Sequence, residues 1–377
     1  ADLLISQNYQ DRDFALVFVE CLLQSPGASV LILKVAPQIS KLFRDQTERI
    51  RCRLLRVFGL GYRDIESTPE SLKIAQLLLK LQPALDQSPK IAASAAFMFS
   101  SLATLDGFAA TESILTELFN RITDKSLYLF DEIIWVVDKC PKGEVVLKFF
   151  PYVVDGLRKS LAQTNLNSML DLIGETITAY VLRFGKDLEM FVGETLNILF
   201  GGCNEHDCLF IPFASMASLF MDQFGQLVYG LMPKILSSLE NFELPDAQKN
   251  ACEALGILIK AGLEVTQEIM DTLLQLLHST ETNVGFRCSI LRCFESFPIE
   301  IFKEVEELKG IVSELTAAVT LLIGSSNEEG ARDLAGTLCA LLVKNRKLPK
   351  ESIWEESVEM SVSLLSKIAD LEVVDHV

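Results

Sequence analysis

Ile50-Arg51-Cys52-Arg53-Leu54-Leu55-Arg56-Val57-Phe58 aligns without a gap to Phe286-Arg287-Cys288-Ser289-Ile290-Leu291-Arg292-Cys293-Phe294, and five of the nine positions are identical. The two stretches stand 236 residues apart, six units of about 39. In both, an acid lies six residues before the first arginine: Asp45 before Arg51, and Glu281 before Arg287. Glu329-Gly330-Ala331-Arg332-Asp333-Leu334-Ala335 is a weaker third copy. Self-similarity at this period means that one supersecondary unit is repeated along the chain.

The unit is helical. Apolar residues recur at steps of three and four, as in Ile114-Leu115-Leu118-Phe119-Ile122 and Ile269-Leu273-Leu274-Leu276-Leu277. Period-two alternation is absent, and most glycines and prolines fall between the periodic segments. First helices of pairs are expected to begin near Ala28, Pro69, Ala110, Glu144, Asp187, Gln226, Gln267, Leu308 and Lys350, mostly 39 to 43 residues apart with one step of 34. Short polar turns such as Asp45-Gln46-Thr47-Glu48, Asp86-Gln87-Ser88-Pro89 and Asn204-Glu205-His206-Asp207 lead into the second helices. The expected fold is therefore all-α: a right-handed α-solenoid superhelix of about nine helical hairpins over residues 1–377. Asp11–Gln24 reads as a lone second helix within an irregular N-terminal stretch, 1–26. Ser352–Ala369 reads as a terminal helix within a C-terminal helix and tail, 350–377.

The turn pattern resembles HEAT repeats, in which an Asp of the turn within a repeat precedes a hydrophobic-Arg pair at the start of the second helix. Asp45 with Ile50-Arg51 has that spacing. Asp86 with Ile91-Ala92 and Asp124 with Leu129-Phe130 keep the acid and the apolar residue but lose the arginine. The turn acid can accept from N–H groups at the second helix's start and pair with an arginine of a neighbouring repeat. Losing several arginines breaks that ladder.

Composition limits the function. With 51 Asp+Glu against 34 Lys+Arg the formal charge is −17, which disfavours nucleic acid and favours basic protein partners. The chain is 49% hydrophobic, enough for a large core. The longest uncharged stretches, Ile91–Leu105 and Cys208–Met221, are shorter than a bilayer span, so no membrane insertion is expected. The chain starts Ala1-Asp2-Leu3, and neither end is strongly polar, so a longer array is expected. Nine scattered cysteines suggest buried thiols in a reducing compartment.

Little in the sequence points to chemistry. Cys203, His206 and Cys208 form the sole Cys/His cluster, but its spacing and missing fourth ligand fit an inter-helix turn better than zinc. Gly59-Leu60-Gly61 and Gly201-Gly202 read as helix C-caps, and neither is a phosphate loop. No cofactor, metal or catalytic residue is implied, and an enzyme is not expected. The acids are more informative together. Asp131, Glu132, Asp171, Glu175, Glu253 and Glu295 fall on second helices, which line the concave face in HEAT arrays, where they would focus a negative field on a basic partner. An ordinary solvated acidic surface is the plainer reading. Phe14, Phe43, Phe58, Phe97, Phe99, Phe119 and Phe294 are expected in the core. Phe149-Phe150 and Phe210/Phe213 are core as well, unless they border grooves between adjacent first helices, which bind short apolar peptides.

Among HEAT families the chain looks most like the importin-β (karyopherin) superfamily, on its ~40-residue repeat, varied repeat sequences, acidic pI and cysteine-bearing amphipathic helices. That resemblance implies nuclear transport between cytoplasm and nucleus. It also implies basic cargo on the acidic inner helices, Phe-Gly nucleoporin peptides in outer grooves, and Ran GTPase near the N-terminal repeats. The alternative is a HEAT scaffold subunit of a multi-protein complex, such as a phosphatase 2A-type scaffold, whose Asp/Arg ladder is better kept than the one here.

Overall fold

A computed structural model describes residues 2–121, 127–163, 167–279 and 284–297. Helices account for the described elements, and no strand occurs among the described residues. In chain order they are α1 (Tyr9–Leu23), α2 (Leu31–Ile39), α3 (Glu48–Arg63), α4 (Pro69–Leu78), α5 (Pro89–Ala103), α6 (Thr111–Phe119), α7 (Tyr128–Lys139), α8 (Gly143–Leu147), α9 (Phe150–Leu161), α10 (Asn167–Phe184), α11 (Glu189–Cys203), α12 (Phe210–Ser218), α13 (Met221–Leu239), α14 (Pro245–Lys260), α15 (Gln267–His278) and α16 (Val284–Glu295). α2, α4, α6, α8, α11, α13 and α15 open at or within a few residues of the expected first-helix starts, and α1 covers most of the stretch 11–24. The starts near Leu308 and Lys350, the terminal helix 352–369 and the residues Asp124, Glu281 and Arg332 lie outside the described residues. The chain divides into two compact units, 1–191 and 192–377.

In the first unit the second helices stack in sequence, α1 on α3, α3 on α5, α5 on α7 and α7 on α10. α5 makes the tightest of these contacts possible. Its sequence Ile91-Ala92-Ala93-Ser94-Ala95-Ala96 puts small buried residues toward its neighbours. Opposite it, Gly59 leaves room for the Phe97 ring, which a Cβ at that position would overlap, while a Cβ at Gly61 would sit 2.6 Å from Ile32 Cβ. This corrects the C-cap reading: Gly59 and Gly61 are buried inside α3, where close packing requires them, and Gly201 and Gly202 lie inside α11. The chain turns instead at residues such as Gly107 and Gly262, whose φ angles of 70° and 109° suit glycine.

Side chains tie the stack at both ends. At the N-terminal end of α3, the Asp45 carboxylate takes a fork from Arg12, with Nε at 2.7 Å and Nη2 at 3.2 Å, and accepts the Thr47 N–H at 2.9 Å. The acid thus both braces the turn that leads into its own helix and reaches the preceding second helix. Arg51 turns back onto the Asp45 carbonyl at 2.7 Å, and Arg12 onto the Ser6 carbonyl at 2.7 Å, six residues earlier in both cases. Arg287 also turns back onto a carbonyl, that of Ser279 eight residues earlier, at 2.9 Å. Where the second-helix arginine is missing, Asp86 pairs instead with Arg121, at the end of the next first helix, at 2.9 Å. At the other end, Cys140 Sγ donates to the Ala103 carbonyl closing α5, at 3.3 Å, and Arg183 of α10 donates to the Val137 and Cys140 carbonyls closing α7.

One core expectation is overturned. Phe14 is 63% exposed, and Phe18 and Leu22 share its face, because α1 turns Asp13, Leu16, Val19 and Leu23 toward α3. Helical spacing marks the apolar stripe but not which stripe finds a neighbour. Phe58, Phe99, Phe119 and Phe294 are buried, and Phe43 and Phe97 are half-buried. Phe149, Phe150, Phe210 and Phe213 are also buried, with Phe149 stacked on Phe119 at 4.9 Å.

In the second unit α14 packs between α12 and α16, with α13 laid against α14 and α15 against α16. Gln248 donates to the Leu239 carbonyl at 2.9 Å, closing the α13–α14 turn. Cys252 is fully buried beside Cys293. That burial pushes the Cys252 thiol well up, and the neighbouring thiol adds to the rise.

Two outcomes are expected. Burial alone would raise the Asp45 carboxyl, but the Arg12 and Thr47 bonds hold it below the usual carboxylate range. Its stabilising contribution is therefore present above pH 3.8 and is lost as pH falls through the lower folded value. In urea titrations at neutral pH, Asp45→Ala should cost about 1–2 kcal/mol, a difference that shrinks on acidification below that range. Gly59→Ala should cost about 1–3 kcal/mol by the same measurement, since Phe97 must be displaced.

Candidate partner-binding surfaces

Two surfaces stand out, one in each unit. In the first unit the second helices carry acids. Asp131 on α7, and Asp171 and Glu175 one turn apart on α10, are exposed, and α7 packs on α10. Asp171 and Glu175 have no ion-pair partner among the described residues. All three are exposed carboxylates on two second helices that pack together.

Glu132 departs from the expected acidic wall. It is 8% exposed, so it cannot stand on a solvent-facing acidic wall. α7 turns Glu132 inward beside Ile133, where it accepts from the Ser100 hydroxyl of α5 and from Arg63 Nη2, the latter at 3.4 Å. Arg63 ends α3, and its guanidinium lies 4.2 Å from the ring centres of both Phe97 and Trp135. Burial raises the Glu132 carboxyl above the usual range, with Ser100 and Arg63 opposing the rise. α3 and α7 belong to hairpins that are not neighbours, so Arg63 reaches over α5 to join them. Helical spacing could not foresee this, because Glu132 and exposed Asp131 are consecutive.

In the second unit Glu253 is half-exposed, with Lys249 of its own helix 4.0 Å away. Glu295 ends α16, and its side chain lies outside what is described. A groove runs between the successive first helices α13 and α15, with a cavity of about 480 Å³. Met232, Leu236, Leu263 and Ile269 give it apolar walls, and half-exposed Tyr229 stands at its mouth. The Thr266 hydroxyl caps α15 by accepting the Ile269 N–H at 3.4 Å. Glu240, Glu264 and Glu268 edge the groove, and among the described residues no lysine or arginine lines it. For Phe149-Phe150 and Phe210/Phe213 the core reading holds, and they do not line this groove. Those rings fill the core, and the groove lies instead where Leu236 and Ile269 face each other.

Cys203 is buried, and burial pushes its thiol up, while His206 and Cys208 are half-buried. Among the described residues no group of three or more His, Cys, Asp or Glu is placed to hold a metal ion. No described helix is long and apolar enough to cross a membrane.

No family model matches the chain, and no curated protein matches it in sequence. Solved structures do match. Importin-β crystallised in polyethylene glycol superposes with a TM-score of 0.74 over 98% of this chain and 51% of its own, at 18% identity. The Kap95:Nup1 complex gives 0.66 over 98% and 44%, at 14% identity. Kap95p, the yeast importin-β, in a structure describing its binding to RanGDP, gives 0.56 over 99% and 45%, at 15% identity. The chain spans about half the length of these proteins and has a HEAT-repeat fold like that of importin-β.

The buried Glu132 has a measurable signature. Its folded carboxyl is raised above the reference value of 4.5, so the stability it contributes is full below that pH and declines as pH rises through the folded value. Relative to Glu132→Gln, wild-type stability in denaturant titrations should fall between pH 4.5 and neutrality. Glu132→Ala, which leaves Arg63 and Ser100 without their acceptor, should cost about 2 kcal/mol at neutral pH.

Proposed function

We propose that this chain is a karyopherin-type transport receptor, or part of one, and that it works by binding protein rather than by catalysis. The observation that carries the reading is the importin-β-like fold over 98% of the chain. The acids of α7 and α10 support it, because Asp131, Asp171 and Glu175 offer exposed carboxylates on stacked second helices to lysines and arginines of a cargo. The first-helix groove supports it from the other unit. Its apolar floor accommodates the side chain of a Phe-Gly repeat, and Kap95 is the partner of Nup1 in one similar structure. Ran GTPase is the third proposed partner, in keeping with the Kap95p structure that describes RanGDP binding. Such a receptor would act in cytoplasm and nucleus. The scaffold reading gains less support, since the turn acid Asp86 reaches a first-helix arginine rather than a second-helix one.

The test uses two ligands and two variants. Asp131→Lys/Asp171→Lys/Glu175→Lys should weaken binding of a lysine- and arginine-rich import-signal peptide at least ten-fold in fluorescence anisotropy. Leu236→Asp/Ile269→Asp should abolish capture on Phe-Gly resin while leaving the basic peptide bound. Failure of the wild-type chain to bind basic peptide, Phe-Gly resin and GTP-loaded Ran would eliminate the transport reading.

A further inference from the structure

Charge is unevenly divided along the sequence. Residues 1–103 hold 12 Lys+Arg against 10 Asp+Glu, a balance of +2, whereas the remaining 274 hold 22 against 41, a balance of −19. Much of the basic excess is gathered on one helix. Arg49, Arg53 and Arg56 of α3, spaced by four and three residues, share one face, and Arg63 continues it two turns on.

Two acids of α1 set these arginines. Asp13 takes Arg49 at 2.8 Å and Arg53 at 2.7 Å, and Glu20 takes Arg53 at 2.9 Å and Arg56 at 3.5 Å. Both carboxylates are only 12% exposed, while the Arg49 and Arg56 side chains are 65% and 59% exposed. The inner side of the cluster is thus a buried frame, and its outer side is two guanidiniums held in place with their remaining N–H groups in solvent. Three cations share two anions, so the frame does not neutralise the face. Of the neighbouring acids, Glu48 sits at the helix start, where it accepts from Ser88 at 2.9 Å.

We propose that the solvent face of α3 is a docking stripe for an acidic polypeptide segment. Guanidiniums already fixed on one edge bind carboxylates in forks without first being ordered, which removes part of the entropic cost. Arg49 and Arg56 are seven residues apart on a helix, about 10 Å. That separation equals about three residues of an extended chain, so acids at alternate or third positions of one segment can reach both. The unbroken charge of a nucleic acid fits less well, since exposed Asp131, Asp171 and Glu175 lie on the second helices of the same unit. The stripe serves a ligand of opposite sign to the basic cargo proposed above and stands independently of that reading.

The experiment is fluorescence anisotropy of the full chain with a labelled 12-residue Glu-rich peptide at low and high salt, beside an oligonucleotide of equal charge. The wild-type chain should bind the peptide at low salt and more tightly than the oligonucleotide. Arg49→Glu/Arg56→Glu should lower peptide affinity at least ten-fold, with circular dichroism unchanged. Arg49→Lys/Arg56→Lys should recover part of the loss. Reversal of two exposed lysines on and just after α4, Lys73→Glu/Lys80→Glu, should leave affinity within about two-fold. Four results would each overturn the proposal: no peptide binding by the wild type, undiminished binding by the arginine reversal, an equal loss in the lysine control, or tighter binding of the oligonucleotide.

Discussion

A two-helix hairpin of this composition has more apolar surface than it can cover by folding on itself. Leu54, Leu55, Val57 and Phe58 of α3 are buried within a layer in which α1 covers one side and α5 the other. At roughly 25 cal/mol per Å² of apolar surface removed from water, each shared seam outweighs the single hydrogen bonds that decorate it. The polar ties depend on that seam. Asp45 can grip Arg12, and Arg183 can cap α7, because burial has already brought neighbouring second helices to side-chain reach.

Burial also decides which polar residues remain available for recognition. α7 points Asp131 outward and Glu132 inward, so one of two consecutive acids faces solvent and the other helps hold Arg63 between Phe97 and Trp135. On α1, Asp13 and Glu20 are drawn inward to set three arginines whose outer members stay in water. The same packing therefore leaves Asp131 exposed on α7 and Arg49 and Arg56 exposed on α3, within a chain whose net charge of −17 reveals neither.

Much of the architecture was legible in the residues. The nine-residue match between α3 and α16 gave the period, and the punctuation around Pro69, Thr111 and Gln267 gave the hairpins. The turn acid's double role at Asp45 also followed from its spacing to Arg51, although its arginine partner is Arg12, which stands six residues after Ser6 where an acid would be expected. What stayed hidden depends on neighbours distant in sequence. Gly59 and Gly61 look like punctuation until Phe97 and Ile32 are seen against them. Phe14 looks like core until α1 is seen to offer α3 its other face. The α13–α15 groove was invisible because its walls are ordinary aliphatic side chains drawn from two separate repeats.

Stacked-repeat proteins usually behave as linear chains of units, each sensing only the next one along. The span from Arg63 to Glu132 departs from that rule by joining a hairpin to the next but one. Under tension the α3, α5 and α7 hairpins would then yield together rather than peel away singly. The load on any one of these three hairpins is then shared by the other two, beyond its immediate seam.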